Sequence, residues 1–379
     1  MIDSVLLQMK SGSYRILDHK YFNGRRAKQI VENFTIYSHY HKQTKAEKDS
    51  GEYMPQVEIY FTTRGKDINN RTETLEIQVS LPKLIYGTSL LEISHIHLQK
   101  IYLRLQECFK KQQVEVSIEN LQMAILKRID FSKNIIIPDW MGNAQQIIRN
   151  LSSFDHKPRS EFKKIECGND SGVLYLKFFN TTQGYVIYAK MDEIAENGQT
   201  SIEKQIKNSP FKNNVLRFEL SLEKKQSLEA KLRQYIKEKR KDFTLDDLFK
   251  SDEIAKNILL ETFDTVFSPA NTGIISLAEI KESKLEKIFE SKNIPFAKQN
   301  LILRAVNLTT IYGIAMCWKK LRQELKGGNF GKTKKEIKEI VENIGQLEVL
   351  PPKIVNFLRS EHERFDLYYP QKNRNNICK

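Results

Sequence analysis

The chain has 379 residues, of which 61 are Lys or Arg and 47 are Asp or Glu, so its formal net charge is +14 at pH 7. Hydrophobic residues make up 40%, which excludes a disordered protein, and the length predicts two or three domains. No apolar run approaches the roughly 18 residues that span a bilayer, and no secretory signal is recognisable. Four cysteines without a CxxC pair argue against a zinc ribbon or a disulfide framework. We therefore expect a cytoplasmic protein whose positive charge favours nucleic acid over a membrane surface as partner.

The first half of the chain has the alternation of apolar and polar residues that is typical of β-strands. This alternation predicts strands over residues 57–61, 74–81, 127–131, 172–180, 184–191 and 215–223. Residues 181–184 form a short Thr-Thr-Gln-Gly segment between two of these strands, which predicts a β-hairpin. Ser94 is a candidate N-cap for a helix with apolar residues at helical spacing, and residues 144–151 predict a second helix.

After residue 223 the pattern changes to the 3.6-residue period of helices. Helices are predicted over residues 224–239, 252–267, 276–291, 295–325 and 332–344, with a final helix after Pro351 and Pro352. Thr244 and Asp247 have the spacing of a capping box that begins another helix. We therefore predict an α+β fold in which an N-terminal domain with an antiparallel sheet, residues 1–223, precedes a mainly helical domain, residues 224–379.

Three of the predicted strands carry paired polar side chains. Because side chains alternate between the two faces of a strand, residues two apart share a face. The pairs are Tyr188 with Lys190, Arg217 with Glu219, and Arg128 with Asp130. One interpretation is a solvated sheet face with cross-strand ion pairs, which is common in antiparallel sheets and stabilises little. The other is a surface that performs chemistry, and the pattern alone leaves both open.

Five segments in order support the second interpretation by resemblance. They are Met1-Ile2-Asp3 and residues 75–89, 127–130, 188–193 and 216–219. In this order they resemble the gene II/X replication proteins of filamentous phages and related plasmid initiators of rolling-circle replication. The resemblance implies a nuclease-like N-terminal domain that nicks one strand of origin DNA through a tyrosine linked to the 5′ phosphate and later rejoins it. The helical part would then be a DNA-binding or accessory domain.

The resemblance also implies roles for particular residues. Tyr188 would be the nucleophile, and Lys190 would stabilise its phenolate or the phosphate. Asp130, Glu219 and Glu193 would hold Mg²⁺ or Mn²⁺, with Glu76 a weaker candidate, since carboxylates are suitable ligands for hard cations. Arg217, Arg128 and Lys83 would bind DNA phosphates. The implied partners are origin DNA, as duplex, hairpin or single strand after nicking, together with a host helicase and a second copy of the chain, but no membrane.

Two histidine pairs have the spacing of the two-histidine metal motif of another rolling-circle nuclease superfamily. His95 and His97 follow Ser94 at a predicted helix start, where residues one and three of a helix diverge by about 200°. We interpret them as helix-terminal surface residues, and His39 and His41, in a polar stretch, as loop residues. The alternative to an enzyme is a non-catalytic protein that binds origin DNA or structured RNA with the same fold. A third possibility is that the charged strand faces are only surface pairs.

Overall fold

The computed structural model describes residues 1–18, 29–31, 34–40, 57–64, 72–138, 141–152, 163–168, 174–197, 215–237, 242–267, 282–312, 314–325, 330–345 and 353–363. The strands in these residues are β1 Ile2–Lys10, β2 Arg15–Ile16, β3 Gln29–Val31, β4 Phe34–Tyr40, β5 Val57–Arg64, β6 Thr72–Ser80, β7 Val114–Glu115, β8 Ile125–Ile136, β9 Lys163–Gly168, β10 Leu174–Phe179, β11 Gln183–Ala189 and β12 Val215–Leu222.

The helices follow the same order along the chain. They are α1 Leu81–Tyr86, α2 Leu98–Lys111, α3 Ile118–Gln122, α4 Ala144–Ser152, α5 Lys190–Asn197, α6 Lys225–Tyr235, α7 Leu245–Leu248, α8 Asp252–Val266, α9 Glu282–Ser291, α10 Phe296–Tyr312, α11 Ile314–Glu324, α12 Phe330–Gly345 and α13 Lys353–Glu363. No helix in the described part of the chain is both long enough and apolar enough to cross a membrane.

Ten of the described strands form one antiparallel sheet in the order β3-β4-β5-β6-β1-β8-β12-β11-β10-β9, and β2 pairs with β7 separately. The predicted α+β class, with an antiparallel sheet followed by helices, is therefore confirmed. All six predicted strands are present, and the predicted turn joins β10 to β11, where the Asn180 N–H donates to the Gln183 carbonyl at 2.9 Å. The central strand β1 and the strands β3, β4 and β9 were not predicted.

One face of the sheet forms the main hydrophobic core. The apolar side chains of β12, Leu216, Phe218 and Leu220, are completely buried on this face. Helices α4, α6, α8 and α13 pack against it. Residues beyond 223 thus contribute to the same core, including Val355 and Leu358 from α13. The division into domains at residue 223 stays a prediction.

Helices α9 to α12 build a second hydrophobic core of their own. The single helix predicted over residues 295–325 is wrong, because α10 and α11 are separate helices that pack against each other. Gly313 lies between them in the sequence, and glycine costs about 1 kcal/mol in a helix interior relative to alanine. The predicted capping box is confirmed at α7, where the Thr244 hydroxyl accepts from the Asp247 N–H and Asp247 accepts from the Thr244 N–H.

Candidate functional site

The candidate site lies on the sheet face opposite the main core, which we call the polar face. Strand register places Tyr188 of β11 directly opposite Arg217 of β12, and Glu219 of β12 directly opposite Ser132 of β8. Asp130, two residues before Ser132, is then a diagonal neighbour of Glu219. Diagonal neighbours have Cα atoms about 7–8 Å apart. The antiparallel register therefore brings the three predicted pairs of polar side chains, which come from β8, β11 and β12, into one cluster.

Asp3 joins this cluster through an irregularity in β1. Ile2 pairs with Phe131 and Ser4 pairs with Asp130, so Asp3 is an extra residue inserted in β1 opposite β8. Such bulges redirect a side chain and often lie next to active sites. Here the Asp3 carboxylate lies 2.8 Å from Nη2 of Arg217.

Arg217 is the centre of the cluster. Its guanidinium also lies 3.2 Å from Oε2 of Glu219 and donates to the Ser89 carbonyl at 2.8 Å. Burial opposes the charge of Arg217, but the facing Asp3 and Glu219 carboxylates keep its pKa well above the usual value. The pKa of Asp3 is held below its usual value, because the positive charges of Arg217 and Lys190 outweigh the effect of burial. Arg217 is only 1% exposed, and its predicted role in binding DNA phosphates stays a prediction.

Tyr188 and Glu219 share a hydrogen bond on the polar face. The half-buried Tyr188 donates its hydroxyl proton to Oε2 of Glu219 at 3.0 Å. Burial raises the pKa of Tyr188 well above its usual value, with Arg217 acting in the opposite direction. Burial also raises the pKa of Glu219, against the effect of Arg217, and the negative charges of Asp3 and Asp130 add to this increase. The phenol is therefore protonated and already points its proton at an acceptor.

Lys190 covers the ring of Tyr188 from the end of the strand. Strand β11 ends at Ala189 and α5 begins at Lys190, so Lys190 is not on the strand as the alternation predicted. Its Nζ nevertheless lies 5.7 Å from the centre of the Tyr188 ring and 2.6 Å from Oε2 of Glu193. Burial lowers the pKa of Lys190, as does Arg217, while Glu193 opposes the decrease. Glu193 thus lies at the site, in an ion pair with Lys190.

Asp130 forms the opposite edge of the cluster. Its carboxylate accepts a 2.5 Å hydrogen bond from the Ser4 hydroxyl and pairs with Nη2 of Arg128 at 3.2 Å. The Asp130 side chain is 7% exposed, whereas that of Arg128 is 40% exposed. Arg128 is therefore more accessible than Asp130, and its predicted contact with a DNA phosphate stays a prediction.

A buried ion pair anchors the segment from Ser89 to Glu92, whose Ser89 carbonyl accepts the hydrogen bond from Arg217. The pairing of β1 with β8 ends at Ile2 and Phe131, so among the described strands none continues beside Asn134 on that side. The N–H of Asn134 donates instead to Oε1 of Glu92 at 2.6 Å. Glu92 also pairs with Lys133 at 3.2 Å, and both side chains are at most 4% exposed. The positive charges of Lys133 and the chain N-terminus outweigh burial and hold the pKa of Glu92 below its usual value.

The remaining predicted residues lie at different distances from Tyr188. Lys83 of α1 is close enough to Asp3 to contribute to lowering the pKa of Asp3. Glu76 lies on β6 and accepts from Gln8, four strand spacings or about 19 Å from β11. Glu76 is therefore not part of this cluster.

The two residues of the His95–His97 pair bond to other groups in the described structure. His97 bonds to the Ser94 N–H and the Tyr86 hydroxyl, and His95 bonds to Asp252 at 2.6 Å. This is the helix-terminal role that we favoured. His39 lies in β4, and His41 lies outside the described residues. Among the described residues, no three His, Cys, Asp or Glu side chains come together as metal ligands.

The sequence analysis did not assign roles to Asp3 or Glu92. Asp3 was part of a segment that resembles the phage proteins, and the alternation in Ile2–Lys10 was a strand signal that could have placed it. The bulge that turns Asp3 toward Arg217 has no signal in the sequence. Glu92 follows two leucines and gives no sign that it accepts a backbone hydrogen bond from β8.

Comparison with known proteins defines the class of this protein. The family model for the N-terminal region of the phage gene II replication-associated protein matches residues 1–240, and the chain belongs to this family. It is a replication-associated protein of the rolling-circle type, and more particularly a filamentous-phage gene II-like replication initiator, as the resemblance implied. No curated protein and no solved structure matches the chain. The family is that of replication initiator endonucleases, which act on DNA.

Proposed function

We propose that this chain nicks one strand of origin DNA with Tyr188 as nucleophile and later rejoins the strand. The observation that carries the proposal is the Tyr188 hydroxyl on the polar face, hydrogen-bonded to Glu219 and covered by Lys190, in a chain of this family. A phenol is a poor nucleophile at neutral pH unless a neighbouring group takes its proton. The hydrogen bond to Glu219 supplies such an acceptor.

The proposed reaction conserves the phosphodiester. Oη of Tyr188 attacks phosphorus, its proton passes to Glu219, and the bond from phosphorus to the 3′ oxygen breaks. The 3′ oxygen leaves as a hydroxyl with a proton from solvent, and the 5′ phosphate remains on Tyr188. In the reverse step the free 3′ hydroxyl attacks the phosphotyrosine and restores the DNA strand. Lys190, beside the ring, would stabilise negative charge on the phenolate oxygen.

The carboxylates of the polar face suit a divalent cation. Asp130 raises the pKa of Glu219, so the two charges are close enough to repel each other, and a cation between them relieves this repulsion. Mg²⁺ is commonly bound by one or two carboxylates together with substrate phosphates. Asp130, and Glu219 through Oε1, would hold Mg²⁺ or Mn²⁺ in this way, and the cation would neutralise charge on the scissile phosphate.

The test of the nucleophile uses supercoiled DNA of the encoding replicon. We expect the unchanged protein to produce open circles and a covalent protein–DNA adduct with Mg²⁺ or Mn²⁺, and nothing with chelator. Tyr188→Phe is expected to bind DNA and to lose both products. The matched control is Tyr185→Phe, on the same strand but buried in the core, where the Tyr185 hydroxyl has no hydrogen-bond partner among the described residues. Full nicking by Tyr188→Phe would refute the assignment, and binding without cleavage in any metal would favour the non-catalytic alternative.

The test of the cation ligands is a Mn²⁺ titration of nicking. Asp130→Asn is expected to require much more Mn²⁺, because it removes one charged ligand. Glu219→Gln is expected to lose activity, because it removes both a ligand and the acceptor of the Tyr188 proton. Glu223→Gln is the matched control, since Glu223 is exposed just beyond the end of β12. An unchanged titration in both variants would reject Asp130 and Glu219 as ligands.

A further inference from the structure

Strand β10 lies beside β11 and carries aromatic side chains on both of its faces. Leu176 and Phe178 are buried in the main core. Tyr175, Lys177 and Phe179 alternate with them on the polar face, and all three are half-buried. Tyr175 is directly opposite Tyr188, so the row begins beside the proposed nucleophile. The core already takes its apolar residues from the other face, so it does not require aromatic rings here.

Lys177 lies between the two rings. Its Nζ is 5.7 Å from the centre of the Phe179 ring. Phe179 is opposite Gly184, and a Cβ at Gly184 would lie 3.7 Å from Cε of Lys177. This distance is an ordinary van der Waals contact, so the lysine stem extends beside Gly184 on the polar face. The result is an aromatic–cation–aromatic row, Tyr175-Lys177-Phe179, that extends away from Tyr188.

We infer that this row is a binding track for the single-stranded DNA that flanks the nick. The inference rests on the proposed function, since it places the strand that Tyr188 would cut. Aromatic rings stack on unpaired bases irrespective of their identity, and a lysine between them neutralises a phosphate. Tyr175 and Phe179 are four residues apart, about 13 Å along the strand, which is the length of about four stacked nucleotides.

The chemistry of the row selects single-stranded over double-stranded DNA. Bases in a duplex are stacked on one another, so they do not offer their faces to a side chain on a sheet. A duplex would be held by its phosphates, which Lys177 and Arg128 can contact and which aromatic rings do not neutralise. Loss of a ring must therefore weaken single-strand binding selectively, whereas loss of the lysine weakens both.

The test measures DNA binding by fluorescence anisotropy in chelator, so it does not depend on cleavage. The probes are a labelled single strand of about 12 nucleotides and the matching duplex. Tyr175→Ala and Phe179→Ala are each expected to weaken single-strand binding by about 5- to 100-fold and to leave duplex binding unchanged. Lys177→Ala should lower the slope of log affinity against log salt by about 0.7 for the single strand.

Two variants serve as controls. Tyr175→Phe keeps the ring and should bind as the unchanged protein does, which separates stacking from a role of the hydroxyl. Phe296→Ala removes a ring that is 75% exposed at the start of α10, a helix that contributes to the second core and not to the sheet. This variant should not affect binding. Unchanged single-strand affinity in Tyr175→Ala, Phe179→Ala and Lys177→Ala would overturn the inference, as would equal losses for single strand and duplex in the two ring variants. If the ring variants lose single-strand binding selectively but the unchanged protein does not nick DNA, the proposed function is refuted, while the inferred single-strand binding track stands.

Discussion

Replacing Arg217 with methionine tests the cluster most directly. Arg217 joins three segments, because its guanidinium contacts Asp3 of β1, Glu219 of β12 and the carbonyl of Ser89. Methionine fills a similar volume but leaves the two carboxylates without their cation. We therefore expect Arg217→Met to fold less stably and to disturb the position of Tyr188, which is opposite Arg217 on β11.

The magnitude follows from burial. Removing one partner of a buried ion pair costs about 3–5 kcal/mol. The side chains of Asp3 and Glu219 are 14% and 23% exposed, so some water reaches them and the lower end applies. We expect the free energy of unfolding to fall by about 3 kcal/mol at pH 8. The matched control is Arg128→Met, whose side chain is 40% exposed and whose pair with Asp130 should contribute at most about 1 kcal/mol.

The assay is urea unfolding followed by circular dichroism at pH 8 and pH 5. Arg217 lowers the pKa values of both Asp3 and Glu219, so without it both values should be higher in the folded state and protonation at lower pH should stabilise the variant. The difference between Arg217→Met and the unchanged protein should therefore be smaller at pH 5 than at pH 8. The additional change Asp3→Asn should recover part of the loss. If Arg217→Met costs no more than Arg128→Met, or costs more at pH 5, the reasoning fails.

Three further variants test the structure around the site. Burial lowers the pKa of His362 from 6.5 to about 4, so folding stability should fall by about 3 kcal/mol as the pH falls from 7 to 4, and His362→Phe should flatten that dependence in urea titrations. Thr244→Ala should lower the melting temperature, because the lost cap costs about 1 kcal/mol. Phe263→Ala should cost about 3–5 kcal/mol in urea unfolding, because the ring is fully buried against Phe218 and His362; a cost below 1 kcal/mol would contradict this packing.

Much of the fold could be predicted because strand alternation and helical period are local properties of the chain. The predicted helix over residues 252–267 and the observed α8, Asp252–Val266, differ by one residue. The prediction of a single helix over residues 295–325 was wrong. The apolar pattern in the sequence continues through Gly313, although the chain forms two helices, α10 and α11. Strand β1 was not predicted: its buried residues alternate from Val5 to Met9, but the extra residue Asp3 interrupts the alternation between Ile2 and Val5.

The sequence by itself determined which site residues share a face within one strand. The alternation in β12 placed Arg217 and Glu219 together, because successive side chains point to opposite sides of a strand. It could not determine that β12 lies between β8 and β11, since strand order depends on hydrogen bonds between segments far apart in the chain. Only the tertiary structure brought Tyr188 to Glu219 and turned Asp3 toward Arg217. It also buried Arg217 against the segment that Glu92 anchors, with its guanidinium between the carboxylates of Asp3 and Glu219.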